Sequence, residues 1–492
     1  VLAIAQNLSD IRGMLLKHSA IYSASILLNG LISFAAVAVN TRLLGVEEYG
    51  HYALAFSAAT CASTFFFEWL RLSIMRFSET ENGQRLLSAS LSLYLVGAII
   101  ILTLATLFFA VNFDAHFPAL GWIAVGLFAV CIGCVDLLLS LARTSLRPSL
   151  FSSMQIMRGV LALALGGLAA WMKFGFAGVM TGMALANILT LVFGLLRQPE
   201  WRRLRPTLPD KDSVLTLMQF GSPIVLTVMA MQVLLILDRY MISHFHGAKE
   251  VGAYAAAGDI TQKLIVMIAT GVSLASYNLV LRVFEEGGVA EAEKKMVTTL
   301  TVLLSVVLPV SVGIALVAAP MGHLLLGAKV AEEAVPLMPL LSIIAVLQVL
   351  RSYYFDQPYH ILKITKQIFL PYLAASVVAM TSWFLLIPSE GARGAAYGLI
   401  FAHLVGGVVS FLSIRGKFKL DISWKDVSIV IVAVTAMAII VGLLPWPDGN
   451  IWLFVRVAAG GAAYAVSLLA ANFLDVRSIV LKKLKLFGRF QS

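Results

Sequence analysis

Charge is what this chain has least of. Charged residues fill 13% of its 492 positions while 60% are hydrophobic, and mean hydropathy is +0.91. Soluble domains carry about 25% charged residues, so a soluble globular protein is excluded and an all-α integral membrane protein is expected. Cysteine is almost as scarce. Cys61, Cys131 and Cys134 all lie inside apolar stretches, which excludes a disulfide framework. Cys131 and Cys134 form a C-x-x-C, but no second ligand pair completes a metal site, so they read as small packing residues. No G-x-x-x-x-G-K-[ST] loop is present, which removes ATP as a direct energy source.

What the chain has in abundance is apolar sequence of spanning length. A bilayer core of about 30 Å takes roughly 20 apolar residues per helix. Fourteen such stretches can be marked: 19–40, 50–70, 87–111, 119–141, 151–172, 175–196, 214–237, 251–279, 297–319, 334–350, 367–387, 394–414, 427–444 and 451–474. The first is expected to be a helix rather than a cleavable signal, since no small-residue cleavage site comes after it.

Basic residues set the orientation. With both termini cytoplasmic, 27 of the 36 Lys and Arg fall on the inner side, 6 on the outer side, and Arg158, Lys263 and Arg456 lie within stretches. The net charge of +10 is then a positive-inside signature and requires no nucleic acid. The tail Val476 to Phe490, with Lys482, Lys483, Lys485 and Arg489 among apolar residues, reads as an interfacial helix on an anionic leaflet or a simple basic stop.

The chain also repeats itself. Gly45, Glu48, Gly50, Tyr52, Ala53 and Ala55 return as Gly247, Glu250, Gly252, Tyr254, Ala255 and Ala257, a constant offset of 202. Gly175, Gly178, Gly182 and Ala186, followed by Asn187, return as Gly391, Gly394, Gly398 and Ala402, followed by His403. Gln155, Ile156 and Trp171 match Gln367, Ile368 and Trp383. These repeats imply two parallel six-helix lobes around a central cavity, an organisation typical of secondary transporters, with two helices added. The expected divisions are 1–200 (N-lobe), 201–213 (cytoplasmic linker), 214–417 (C-lobe), 418–475 (helices thirteen and fourteen) and a basic cytoplasmic tail, 476–492. The glycine ladders read as close helix packing. Pro223, Pro309 and Pro371 fall inside stretches of the second lobe, where a proline permits a kink.

The segment Thr41, Arg42, Leu43, Leu44, Gly45, Val46, Glu47, Glu48, Tyr49, Gly50, His51, Tyr52, Ala53, with Asp238, Arg239, Tyr240, Met241, Ile242 leading to Gly247 and Gly252, resembles the polysaccharide transport family of the multidrug/oligosaccharidyl-lipid/polysaccharide exporter superfamily. The resemblance implies a flippase, not an enzyme. Its cargo would be an undecaprenyl-diphosphate-linked oligosaccharide, moved across the bacterial inner membrane for exopolysaccharide or O-antigen synthesis. The implied partners are the lipid-linked cargo, membrane lipids, and a polysaccharide polymerase with its chain-length regulator. No cofactor is implied, and a proton or sodium gradient is left open as the driving force. The family supplies no universal catalytic motif, so candidate residues come from the sequence itself.

An anionic diphosphate calls for fixed positive charge within the membrane, where charges are costly and usually face a cavity or a partner. Lys263 leads, near the middle of the eighth stretch with Asp259 one turn away; neither has a charged equivalent in the other copy, where Ser57 and Cys61 stand. An internal salt bridge is the competing account, and Asp259 is the coupling candidate. Arg158 and Asp136 lie about two turns inside the cytoplasmic boundary, with Arg143 near it, and form a candidate mouth. Snorkelling competes for the arginines. Glu68 and Arg71, three apart at the inner end of the second stretch, and Arg351 at the inner end of the tenth are placed similarly, with positive-inside anchoring as the alternative. His403 is a titratable candidate or a packing histidine. Asp238 and Arg239 form an outer gate or a boundary pair. Two other functions stay open: an ion-coupled exporter of drugs or small amphiphiles, and a membrane polymerase or ligase, against which the short outer connections argue.

Overall fold

The structure, a computed structural model, describes residues 24–25, 27–77, 83–111, 119–198, 206–445, 447 and 449–475, with the side chains at 220, 222–227 and 475 left out. The basic tail and residues 201–205 of the 201–213 connection lie outside the described residues. Everything regular among the described residues is helix. The chain forms α1 (Leu27–Leu44), α2 (Val46–Phe77), α3 (Gly83–Val111), α4 (Ala119–Thr144), α5 (Pro148–Trp171), α6 (Gly175–Arg197) and α7 (Lys211–His246). Next comes Ala248–Leu316, one helical run of 69 residues broken at Gly288 (φ 74°). At 1.5 Å per residue an unbroken helix of that length would reach about 100 Å, three times the apolar core, so it comprises two spans, α8 (248–287) and α9 (289–316). A short helix, Ala318–Leu325, leads to α10 (Ala328–Ile361). Phe369–Ile414 is broken in the same way at Gly391 (φ 54°), giving α11 (369–390) and α12 (392–414). Trp424–Leu443 (α13) and Asn450–Ala470 (α14) complete a polytopic membrane fold. Among the described residues twelve helical runs are long and apolar enough to span, and the two broken ones supply the other two of the fourteen expected passages.

The described residues gather in two compact units, one ending at Ala256 and the other beginning at Ala257. That boundary lies inside α8, so α7 and the first turns of α8 pack with the first unit. Ile99, Val192 and Leu196 in the first unit and Leu385, Val408 and Leu443 in the second are large apolar residues left exposed, the surface a lipid solvent requires.

The sequence repeats are repeats of geometry. Gly45 (φ 78°, ψ 179°) and Gly247 (φ 83°, ψ 174°) hold the same backbone conformation immediately before a helix, in a region that side-chain-bearing residues avoid. Gly175 and Gly391 likewise share positive φ, at 63° and 54°. The ladders behind them seat close hairpins. A Cβ at Gly182 would lie 2.8 Å from the Leu165 carbonyl oxygen, and one at Gly394 2.5 Å from that of Leu386. Trp383, fully buried, closes the second hairpin by donating its indole N–H to the Ala395 carbonyl (3.1 Å). Glu48 ties the first one down, accepting from the Phe176 backbone N–H (2.8 Å) at the N-terminus of α6. A carboxylate there is worth about 0.3–1 kcal/mol.

Pro371 sits in the first turn of α11, where its missing N–H has no helical partner to lose, so the kink expected there does not form. Pro309 does lie in a helix interior. The α13–α14 pair packs Val430, Val434, Met437, Val441 and Leu453 against Leu308, Val312 and Val317, and the Tyr464 hydroxyl donates to the Ser305 carbonyl (2.6 Å).

Candidate functional site

Five residues of α2, Thr64–Glu68, form a π-turn. A π-turn inserts one residue into the helix and re-aims the side chains beyond it. Phe67 is driven inward, stacks on Tyr94 of α3 (centroids 4.8 Å apart, planes within 2°), and fits only because Gly133 of α4 has no side chain: a Cβ there would fall on the Phe67 ring. The Tyr94 hydroxyl donates to the Phe67 carbonyl (3.3 Å), satisfying a group of the altered turn.

Beside this anchor is a cavity of about 130 Å³ lined by Thr60, Ser63, Thr64, Glu68, Arg71 and Asp136 among others. Arg71 donates Nε–H to Glu68 Oε2 (2.9 Å), Nη2–H to Glu68 Oε1, and Nη1–H to Ser140 Oγ (3.0 Å). Arg158 of α5 donates Nη1–H to Asp136 Oδ1 (2.7 Å). Two candidate pairs from the sequence, Glu68 with Arg71 and Asp136 with Arg158, therefore come together: Glu68, Arg71 and Asp136 line one polar cavity, and Arg158 is tied to it through Asp136. All four side chains are partly exposed, between 21% and 41%. At that exposure each pair stabilises the fold by only about 0–1 kcal/mol. Two oxygens of a phosphate offer the planar guanidinium the same charge-assisted bidentate acceptor that a carboxylate does. Arg143 is not among the lining residues; its guanidinium lies 4.9 Å from the Phe151 ring centroid.

The polar lining is hard to read in the sequence. Thr60, Ser63 and Thr64 precede Glu68 by one to two turns, but serine and threonine are common packing residues in spans, and Thr60 does bond back to the Phe56 carbonyl (2.9 Å). Gln232 of α7 reaches Thr64 Oγ1 (3.4 Å).

The remaining candidates occupy separate places. Lys263 pairs with Asp259 at 3.0 Å, with Lys263 half exposed and Asp259 buried, a geometry compatible with both accounts given for it. Asp238 is buried. It accepts from the Tyr254 hydroxyl (2.7 Å) and from the Arg239 backbone N–H (2.8 Å). Arg239 donates to Ser57 Oγ (3.2 Å) and the Tyr240 hydroxyl to the Leu54 carbonyl (2.9 Å), so this corner joins α7 to α2.

Arg351 and His403 come together in the second unit, with a residue that sequence reasoning missed, Asp356. Arg351 is 1% exposed and Asp356 3%. A second π-turn, Arg351–Phe355, unites them: residues five apart point about 140° apart on an α-helix, but a turn closed by Asp356 N–H to the Arg351 carbonyl (2.9 Å) puts both on one side. The side chains stand 3.9 Å apart, and the guanidinium lies over the Tyr372 ring, 3.8 Å from its centroid.

By sequence alone, no curated protein matches the chain. The sequence pattern of the family described as "Polysaccharide biosynthesis protein" matches residues 15–277, and that of MatE matches residues 223–380. Among solved structures, an inward-closed lipid II flippase MurJ superposes with a TM-score of 0.79 at 15% identity, covering 94% of this chain and 100% of that one. An outward-facing multidrug resistance MATE transporter of the MOP superfamily superposes with a TM-score of 0.55 at 16% identity, covering 82% and 95%. A MOP superfamily transporter from Pyrococcus furiosus gives 0.51 at 16% identity, covering 81% and 92%. At such identities these likenesses speak for the fold, and the family pattern, spanning more than half the chain, speaks for descent. The chain belongs to the polysaccharide biosynthesis protein family.

Proposed function

We propose that this transporter flips an undecaprenyl-diphosphate-linked oligosaccharide across the bacterial inner membrane by alternating access. The observation that carries the reading is the pair of ion pairs at one cavity, lined by Glu68, Arg71 and Asp136, with Arg158 bound to Asp136 beside it. In the proposed cycle the cargo's diphosphate displaces Glu68 and Asp136 from the two guanidiniums. The carboxylates take the guanidiniums back when the cargo leaves, so neither guanidinium is left unpaired in either state. Thr60, Ser63 and Thr64 supply hydroxyls suited to a sugar head group. The lipid tail stays in the bilayer.

The repeat motifs favour two six-helix lobes, 1–200 and 214–417, moving about the cargo with both termini cytoplasmic. Lys263 and Asp259 serve as a second cationic station and its counter-charge, and Asp238 with Arg239 as the outer gate. A polymerase and chain-length regulator would receive the flipped unit.

The deciding experiment labels undecaprenyl-diphosphate oligosaccharides in cells depleted of the protein and locates them on either face of the inner membrane. Complete repeat units accumulating on the cytoplasmic face, cleared when the protein is restored, are the expected result. The MatE match over 223–380 favours a second reading, export of small amphiphiles. Normal delivery of units with altered drug resistance would select it.

A further inference from the structure

Arg351 is a buried cation with too few partners. Among the described residues its Nε, Nη1 and Nη2 have no hydrogen-bond partner, and neither has His403 Nδ1. Its site is nonetheless built for it. Gly406 of α12 leaves room where a Cβ would lie 2.8 Å from the guanidinium carbon, and Tyr372 of α11 provides the ring beneath. Among the described residues only Asp356 balances the charge, at 3.9 Å.

The turn that carries this pair is a junction. Tyr353 and Thr270 of α8 share a hydroxyl hydrogen bond (2.8 Å), and Gln357 reaches Ser273 of α8 (3.4 Å). Ser410 of α12 donates to Asp356 Oδ1 (2.9 Å) and lies 3.0 Å from the Phe355 carbonyl, and the Tyr354 hydroxyl donates to the Asp421 carbonyl ahead of α13 (2.8 Å). The groups facing Asp356 are thus Arg351 on its own element, the Tyr372 hydroxyl from α11, and Ser410 from α12, with Tyr359 next to them. His403 of α12 faces Arg351.

We propose that Asp356 is a proton-binding site of the transport cycle, and that its protonation expels Arg351 from the pocket and frees the 351–355 turn from α8 and α12. The physical reason is asymmetry. A buried ion pair is near neutral in energy, but removing one charge leaves the other uncompensated, which is strongly destabilising. A neutral Asp356 therefore makes the buried Arg351 untenable, and the turn that holds both is the element that moves. π-turns are frequent at functional sites and leave the backbone able to change register. The inference rests on the alternating-access reading, but its test needs no cargo, so either can fail without the other.

Spin labels at Leu279 of α8 and Leu412 of α12, both exposed, are introduced after Cys61, Cys131 and Cys134 are changed to alanine, and the label distance is measured in nanodiscs between about pH 4 and pH 7. Helix shifts in switching proteins are about 1–2 Å or larger. The parent is expected to shift its distance as pH falls. Asp356→Asn should show the low-pH distance at pH 7 with no further response, Asp356→Glu should restore the response, and His403→Gln should leave it intact. Arg351→Gln combined with Asp356→Asn removes both charges and should hold the neutral-pH distance throughout. A parent that does not respond, an Asp356→Asn variant that responds as the parent does, or loss of the response in His403→Gln would overturn the proposal. Should Asp356→Asn fail to fold, the double variant decides: a retained pH response refutes the site.

Discussion

Gly50 and Gly252 touch backbone to backbone. A Cβ on Gly50 would coincide with the Ala248 carbonyl oxygen, and one on Gly252 with that of Val46, so each copy of the repeated motif lies in the notch left by the other's glycine. Neither neighbour can yield, because both are main chain. Gly50→Ala and Gly252→Ala should each cost more than the roughly 1–3 kcal/mol of ordinary overpacking. Gly271→Ala in α8, where nothing lies within 4 Å, should be neutral or stabilising by up to about 1 kcal/mol. Thermal unfolding of the purified protein separates the three, and a Gly50→Ala variant as stable as Gly271→Ala would refute the crossing.

At the cavity, function and stability should come apart. Arg71→Ala and Arg158→Ala remove partly exposed pairs and should lower stability by no more than about 1 kcal/mol each, while flipping falls at least tenfold. Asp136→Asn, which keeps the shape and loses the competing charge, should bind inorganic diphosphate more tightly than the parent. Titration calorimetry reads this directly, and equal affinity in the two would argue against carboxylate exchange.

Lys263→Ala should reduce flipping, and should lower Tm as well, because it removes the partner 3.0 Å from the buried Asp259. Asp259→Asn should change the dependence of transport on pH or sodium. Unchanged transport in the first variant would make the pair a structural bridge.

Asp210 caps α7, accepting from the Ser213 side chain (2.6 Å) and backbone N–H (3.0 Å), and pairs with Arg85 (2.7 Å). The Ser213 hydrogen bonds, with Arg85 adding to them, hold its carboxyl down to about 2. A depressed folded value means the cap's contribution is complete above the ordinary carboxylate value near pH 4 and is lost as pH falls toward 2. Hydrogen exchange of the first-turn amides of α7 should therefore quicken over that window, and should be fast and pH-independent there, apart from intrinsic exchange, in Asp210→Ala. A parent without that step would show that the cap does not form.

The two membrane-borne clusters show how far a sequence reading reaches. Glu68 and Arg71 are three residues apart, and Asp259 and Lys263 four, so an α-helix already makes them neighbours. Equal depth in the membrane groups Arg158 with Asp136, and they do meet. Their union with Glu68 and Arg71 needed the packing of α2 on α4. Asp356 was invisible because an α-helix would turn it away from Arg351, and no sequence pattern announces a π-turn.

Composition and period determined what each segment had to be. A chain this apolar satisfies its backbone in lipid only by forming helices, each about as long as the bilayer is thick, and the repeated glycines marked where helices begin or approach. Tertiary structure decided which charges meet. Ion pairing depends on side chains brought within a few ångströms by helices far apart in sequence, and one inserted residue, at 64–68 or 351–355, was enough to change the partner.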